Sequence, residues 1–266
     1  MQDFSYHTHN HTQGIGDGRN TCEEMIAKAE EIGFSEIGVS NHLIYHPNIP
    51  LRHPQNFNDF AKALDYAQKN IDEIRETAQR HKIKVYAGFE VDYYPSAMWR
   101  NAFEKIITAV KPDYLIASTH NALSKDEKLL YNLWHIPTPI DEQMKLYLAN
   151  YWQNLIDCIN SGYFDFVAHC DLATNLGVCV GDEWKDWQWK VIEAIKTQKL
   201  PFEINTKGIF RCGRPSPDWW MIKELIAAGV PTLISDDAHS TDMLGSYFAD
   251  VEVELAKIPN VKRFRF

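Results

Sequence analysis

Eight side chains able to hold a divalent cation stand at the ends of short apolar runs. They are His7 and His9 in SYHTH, His42 in SNH, Glu90 in GFEVD, His120 in STH, His169 in AHC, and Asp237 and His239 in SDDAH. Neutral imidazole nitrogens and carboxylate oxygens are natural ligands for Zn²⁺, Mn²⁺ and Fe²⁺, and this many donors would hold two to three ions. One histidine at a strand end is an ordinary satisfied polar group; a ligand type at every strand end but the sixth is not. Side chains two apart on a strand share a face, so His7 and His9 can grip one ion, as can Asp237 and His239, while Asp236 faces the other way. Glu90 can bridge two ions, because a carboxylate has two oxygens and an imidazole one free lone pair. Asp17, in the loop GIGDG, is either a further oxygen ligand reaching back over the rim, the reading adopted, or a turn acid solvated by water. That loop is no phosphate cradle, since no Walker lysine follows and Arg19 breaks a GxGxxG match.

His11 leaves the first motif open. His9 is a ligand in either of two registers: with His7 if the strand ends at residues 8–9, or with His11 if the chain stays extended for two residues more. The first is adopted, which leaves His11 in the loop as a substrate contact or a solvated side chain.

The elements that must position these residues alternate. Strand candidates cover 4–9, 36–42, 84–94, 114–120, 164–170, 201–206 and 231–239, with helical stretches between them, such as TCEEMIAKAEEIG and PDWWMIKELIAAG. About seven βα repeats without a linker or low-complexity tract favour an α/β fold with a closed parallel barrel, one domain over 1–266. In such a barrel all the C-terminal strand ends open on one face, where catalytic groups sit. Trp184, Trp187 and Trp189 read as core packing or a pocket wall, and the tail VKRFRF as a last short strand or a solvated end.

Composition narrows the partners. Of 266 residues 45% are hydrophobic and 24% charged, with 36 acids against 27 bases and a formal charge of -9. The bases are scattered, which disfavours nucleic-acid polymers and anionic membranes. The N-terminus has no leader pattern and no apolar run approaches a membrane span, so a cytoplasmic protein is expected, monomeric or a small homo-oligomer. Five cysteines without a CxxC pair argue against a disulfide framework and a thiolate zinc site.

In this order and spacing, HTH, SNH, GFEVDY, STH, AHCD and SDDAH resemble the polymerase and histidinol phosphatase (PHP) metallohydrolase superfamily over essentially the whole chain. GFEVDY, EINTKGIF and GRPSPDWW are similar to its histidinol-phosphate phosphatase branch. The resemblance implies a distorted (βα)₇ TIM-like barrel with a trinuclear metal centre. It assigns His7, His9, Glu90 and Asp237 to one ion, Glu90, His120 and His169 to a second, and Asp17, His42 and His239 to a third. Departures are Asn41, where many members carry Asp, Asp17, where many phosphatases carry His, and a long loop after His9.

The expected activity is hydrolysis of a small phosphate monoester, with L-histidinol phosphate, an intermediate of histidine biosynthesis, the first substrate to try. The alternatives are a phosphoesterase or phosphodiesterase acting on another small ester or nucleotide, and an inactive metal-binding accessory module. Cations a few ångströms apart lower the pKa of a shared water and clamp the phosphoryl oxygens. Candidate catalytic residues are Glu90 as bridge, and Asp237 or a rim histidine, His239, to protonate the leaving oxygen. Arg211 and Arg214 offer guanidinium forks to the phosphate, with Asn205 and Lys207 beside them. Asp92, Tyr93, Tyr94 and Trp134 are available for the amine and imidazole of histidinol, and the insert 122–140 is a lid candidate that would bring His135 near.

Overall fold

The computed structural model describes residues 6–7, 9–13, 16–51, 54–127, 130–136 and 140–266, with Tyr6 and His7 described by their backbone alone. In chain order the elements are β1 (Tyr6–His7), α1 (Cys22–Glu31), β2 (Glu36–Val39), β3 (His42–Tyr45), β4 (Asn56–Phe57), α2 (Phe60–Ala78), β5 (Lys84–Asp92), α3 (Ala97–Val110) and β6 (Tyr114–Ser118). A hairpin follows, β7 (Asn121–Leu123) and β8 (Leu130–Asn132), then α4 (Glu142–Asn160), β9 (Phe166–Val167), α5 (Leu172–Asn175) and α6 (Lys185–Gln198). The chain continues through β10 (Phe202–Asn205), α7 (Lys207–Cys212), α8 (Trp219–Ala227), β11 (Thr232–Ser235) and α9 (Phe248–Leu255).

The main sheet follows the path β1-β2-β5-β6-β9-β10-β11, every neighbouring pair parallel. These strands correspond one for one to the seven runs seen in the sequence. First and last meet beyond the strands themselves, where Asn10 bridges Ala238 in parallel. The α/β barrel expectation therefore holds. The long strand β5 sets the register: it pairs with β2 from Lys84 to Ala87, then on the same edge with β3, which places His42 directly beside Glu90.

Helix α2 buries Ala63, Ala67, Ile71 and Ile74, and α3 buries Trp99, Phe103, Ile106 and Val110, each at the spacing of one helical face. Alternation in β5 puts Tyr86 on the same side as Glu90. Tyr86 joins Tyr114, Ile116, Phe166, Ala168 and Leu233 in a separate apolar cluster. One end of the barrel is thus plugged by aromatic and aliphatic side chains, and the other is left to the polar strand ends. The tail contributes to the plug: Arg263 bridges Thr232, Phe264 N–H donates to Thr232 O at 2.9 Å, and Phe264 packs on the cluster. Trp184 is buried in the main core, while Trp189 is exposed with its ring 5.2 Å from that of Trp220. No described helix is long and apolar enough to cross a membrane.

Candidate metal centre

The barrel register converges the strand ends on Glu90, whose side chain is 1% exposed. Its two oxygens face different imidazoles. Oε1 lies 2.9 Å from His169 Nε2 and 3.3 Å from His120 Nε2. Oε2 lies 2.9 Å from His42 Nδ1, 3.3 Å from His9 Nε2 and 3.5 Å from His11 Nε2. A second focus surrounds Asp17, with Oδ2 3.5 Å from His42 Nε2 and 3.4 Å from His239 Nε2. Asp237 Oδ1 stands 3.8 Å from His9 Nε2 and 3.3 Å from His11 Nε2.

Among the described residues, four groups place ligand atoms within 4.8 Å of one another: His11, Asp17, His42 and His239; His9, His11 and Glu90; His9, His169 and Asp237; and His42, Glu90 and His120. Close approach is not always hydrogen bonding here. His11 Nδ1, Asp17 Oδ1 and His42 Nδ1 are buried and make no hydrogen bond, as expected of ligand atoms aimed at a shared cation. The donor set fits divalent metal ions. Burial alone would raise the Glu90 carboxyl, but the imidazoles of His120, His42 and His9 outweigh it and hold the group well below the usual carboxylate range.

His11 departs from its loop assignment. It is fully buried, its Nε2 lies 3.3 Å from His9 Nε2, and it belongs to two of the four groups. The chain stays extended past His9 because its backbone is paired on both sides: His11 N–H donates to Ala238 O at 2.8 Å and Ser40 N–H to Asn10 O at 2.9 Å. The side chain of His7, offered as the partner of His9, lies outside the described residues. Every other ligand candidate sits within the converging set.

Residues 16–18 lie close against residues 11–12 and Asn41. A Cβ at Gly18 would run into the His11 carbonyl and one at Gly16 into the Asn41 amide, so the two glycines let Asp17 come over the rim. Asn41, where an acid was the alternative, is used as an amide: its Oδ1 accepts from Thr12 N–H at 2.8 Å and its Nδ2 donates to Thr12 Oγ1 at 2.9 Å. An aspartate could keep the second bond only by accepting from the Thr12 hydroxyl instead. His169 and Asp237 adopt φ of 22° and 49°, conformations that side chains rarely take and that cluster at functional sites. Asp236 faces away, with its carboxylate accepting from Ala238 N–H at 3.0 Å and Gly245 N–H at 2.6 Å.

Behind the ligands stand two carboxylates. Asp92 Oδ1 accepts from His120 N–H at 2.7 Å and lies 2.9 Å from its Nδ1. Glu203, which the sequence reading passed over, is fully buried, with Oε1 2.5 Å from His9 Nδ1 and also accepting from Ser235 Oγ, and Oε2 accepting from His169 N–H at 2.9 Å. An acid in the middle of the apolar run FEIN was the available signal. By holding the proton on His9 Nδ1, Glu203 keeps Nε2 free as a ligand atom. Glu203→Gln is expected to weaken metal binding about 10- to 100-fold. A competition titration against a metallochromic chelator measures this, and an unchanged affinity would show that Glu203 only packs.

A cavity of about 770 Å³ opens over the centre, lined by Asp17, His42, Glu90, His120, His169, Asp237 and His239, and by Lys207 and Arg211. Lys207 Nζ lies 3.1 Å from Asp237 Oδ1 and 3.0 Å from His239 Nδ1. Arg211 spends one nitrogen on Asn175 Oδ1, at 2.8 Å. Arg214, the other guanidinium offered to the phosphate, is not among the lining residues and is committed elsewhere, 2.9 Å from Asp171 Oδ2 and 3.3 Å from Asp218 Oδ2. Asp171 is fully buried, so Arg214→Ala strands its charge and is expected to cost about 3 kcal/mol of stability, read as a lower denaturant midpoint. Asn205 is also behind the site rather than in the cavity, its Nδ2 3.0 Å from Glu203 Oε2 and 3.4 Å from Asp237 Oδ2.

Of the four residues offered to a histidinol group, Asp92, Tyr93 and Tyr94 are buried away from the cavity, and Tyr94 donates its hydroxyl to Asp92 at 2.9 Å. Trp134 lines the cavity. So do Leu130, Tyr131, Asn132 and His135, which makes the β7–β8 hairpin and the turn after it a wall beside the centre.

A family model described as PHP domain matches residues 7–207. A protein of Thermotoga maritima named "Probable histidinol-phosphatase" is 24% identical over 250 residues, covering 94% of this chain and 90% of the relative. One of the same name from Deinococcus radiodurans is 23% identical over 263 residues, covering 94% and 92%. Among solved structures, histidinol phosphate phosphatase from Lactococcus lactis subsp. lactis, complexed with zinc, L-histidinol and phosphate, matches with a TM-score of 0.69 at 16% identity, over 98% of this chain and 95% of that one. At that identity the likeness establishes the fold.

Proposed function

Because the chain belongs to the PHP domain family, we propose that it is a metal-dependent phosphatase of small phosphate monoesters, acting on L-histidinol phosphate to release L-histidinol and phosphate. The observation that carries this reading is the division of Glu90 between two sets of imidazoles, the geometry of a carboxylate shared by neighbouring cations. The relatives named as histidinol-phosphatases align over nearly their whole length and support the substrate.

Two or three divalent ions, with zinc the first to test, would supply charge against the phosphoryl oxygens and acidify the attacking water. His9, His11, Asp17, His42, Glu90, His120, His169, Asp237 and His239 would hold them, with the share of His7 to be tested by substitution. Arg211 keeps most of its fork free and presents it to the phosphate oxygens. Burial alone would raise the Asp237 carboxyl, but Lys207 and His9 outweigh it and hold the group well below its ordinary range. An ionised Asp237 cannot protonate the leaving oxygen. That role falls to Lys207, in the cavity wall beside His239.

The test is elemental analysis of the purified chain followed by phosphate release from L-histidinol phosphate beside sugar phosphates and nucleotides. Bound metal with preferential turnover of L-histidinol phosphate is the expected result. Preferential turnover of another ester would replace the substrate, and a chain that neither carries nor takes up metal would overturn the reading.

A further inference from the structure

We propose that the cavity wall formed by Trp134 and the side-chain amides of Asn48 and Asn56 receives the leaving group of the ester, and selects a planar group that donates hydrogen bonds or carries positive charge. The imidazole and ammonium of L-histidinol have this chemistry. The inference rests on the phosphatase reading above and adds the half of the substrate that lies away from the phosphate.

Among the described lining residues the carboxylates are Asp17, Glu90 and Asp237, and all three face imidazoles of the metal centre. No lining acid is left to meet an amine. The wall offers neutral acceptors instead. Asn48 donates its Nδ2 to Glu127 O at 2.7 Å, and Asn56 donates its Nδ2 to Pro50 O at 2.8 Å. With both nitrogens anchored to backbone carbonyls, the amide oxygens are what each side chain can present as acceptors. Trp134 is 51% exposed, although it is large and apolar, and its ring centroid stands 5.4 Å from that of His120. Its backbone is held in place by Asn132 Oδ1, which accepts Trp134 N–H at 3.0 Å, while Asn132 Nδ2 donates to Asn121 Oδ1 at 3.2 Å. An aromatic face and amide oxygens lining one cavity can bind an imidazole by stacking and an ammonium by the ring quadrupole.

The test compares Trp134→Ala and Trp134→Phe with the unmodified chain, all loaded with zinc, on L-histidinol phosphate and on propyl phosphate, whose leaving group has no donor and no charge. Trp134→Ala is expected to reduce the preference for L-histidinol phosphate, as a ratio of kcat/KM, about tenfold, chiefly through KM, with Trp134→Phe restoring most of it. L-Histidinol titrated calorimetrically reads the same subsite without turnover, and its affinity is expected to fall in parallel. An unchanged preference and an unchanged L-histidinol affinity in Trp134→Ala would overturn the assignment. Failure of the phosphatase reading looks different: the unmodified chain then releases phosphate from neither ester, while the L-histidinol titration still decides the subsite.

Discussion

Glu90→Gln lowers phosphate release at least about a thousandfold, several kcal/mol of lost charge stabilisation, and lowers metal content at two positions together. The size of the effect follows from where the two oxygens point. One faces His169 and His120, the other His42, His9 and His11. An amide keeps the shape but replaces one oxygen by an NH₂ that repels a cation, and the oxygen it keeps is neutral and a weaker donor than a carboxylate's, so both sets lose affinity whichever way it turns. Loss of the buried charge also removes what holds the neighbouring imidazoles protonated when no metal is bound. Phosphate release and elemental analysis on the same preparation measure both effects. Activity near that of the unmodified chain, or loss of metal from one position only, would refute the bridging role.

Chelation abolishes turnover, and zinc or manganese restores it. Stripping the ions also removes their binding free energy from the folded state, about 4 kcal/mol at a thousandfold excess over Kd, or roughly 8 °C in Tm. Proton release accompanies reloading. Burial alone would lower the His120 pKa, but the Glu90 and Asp92 carboxylates outweigh it and push it up to about 9, and His9 and His42 are raised in the same way by their carboxylates. The metal-free protein therefore carries protons on nitrogens that a cation must displace, so metal affinity rises with pH. In the metal-free state the His120 contribution to stability is complete below pH 6.5 and is lost as pH climbs through about 9. Calorimetry of zinc binding at pH 7 in buffers of different ionisation enthalpy counts the released protons. A buffer-independent heat would contradict the charge state drawn for the empty site, and a Tm indifferent to chelator would show that the cluster stands without a cation.

Much of the centre was legible in the residues alone, because ligand chemistry is a property of side-chain type and a parallel barrel sends every strand end to one face. His42, Glu90, His120, His169, Asp237 and His239 could be named from their positions at the ends of apolar runs, and the shared role of Glu90 from the two oxygens of a carboxylate. The choice around His9 could not be made that way. Alternation puts residues 7, 9 and 11 on one side alike, and what brings His11 in is the pairing of its backbone with Ala238, 227 residues later. Glu203 was hidden for the same reason, since its partner His9 lies 194 residues away in the chain.

The two arginines make the contrast plainest. Arg211 and Arg214 are three residues apart and chemically identical, yet one lines the cavity and the other neutralises the buried Asp171. The sequence by itself determined the kinds of ligand, their order, and the alternating elements that carry them, because these follow from composition and local periodicity. Only the tertiary structure decided which histidines converge, which carboxylates stand behind them, and which cation is free for a substrate, because each depends on a partner that the folding of the barrel brings from a distant part of the chain.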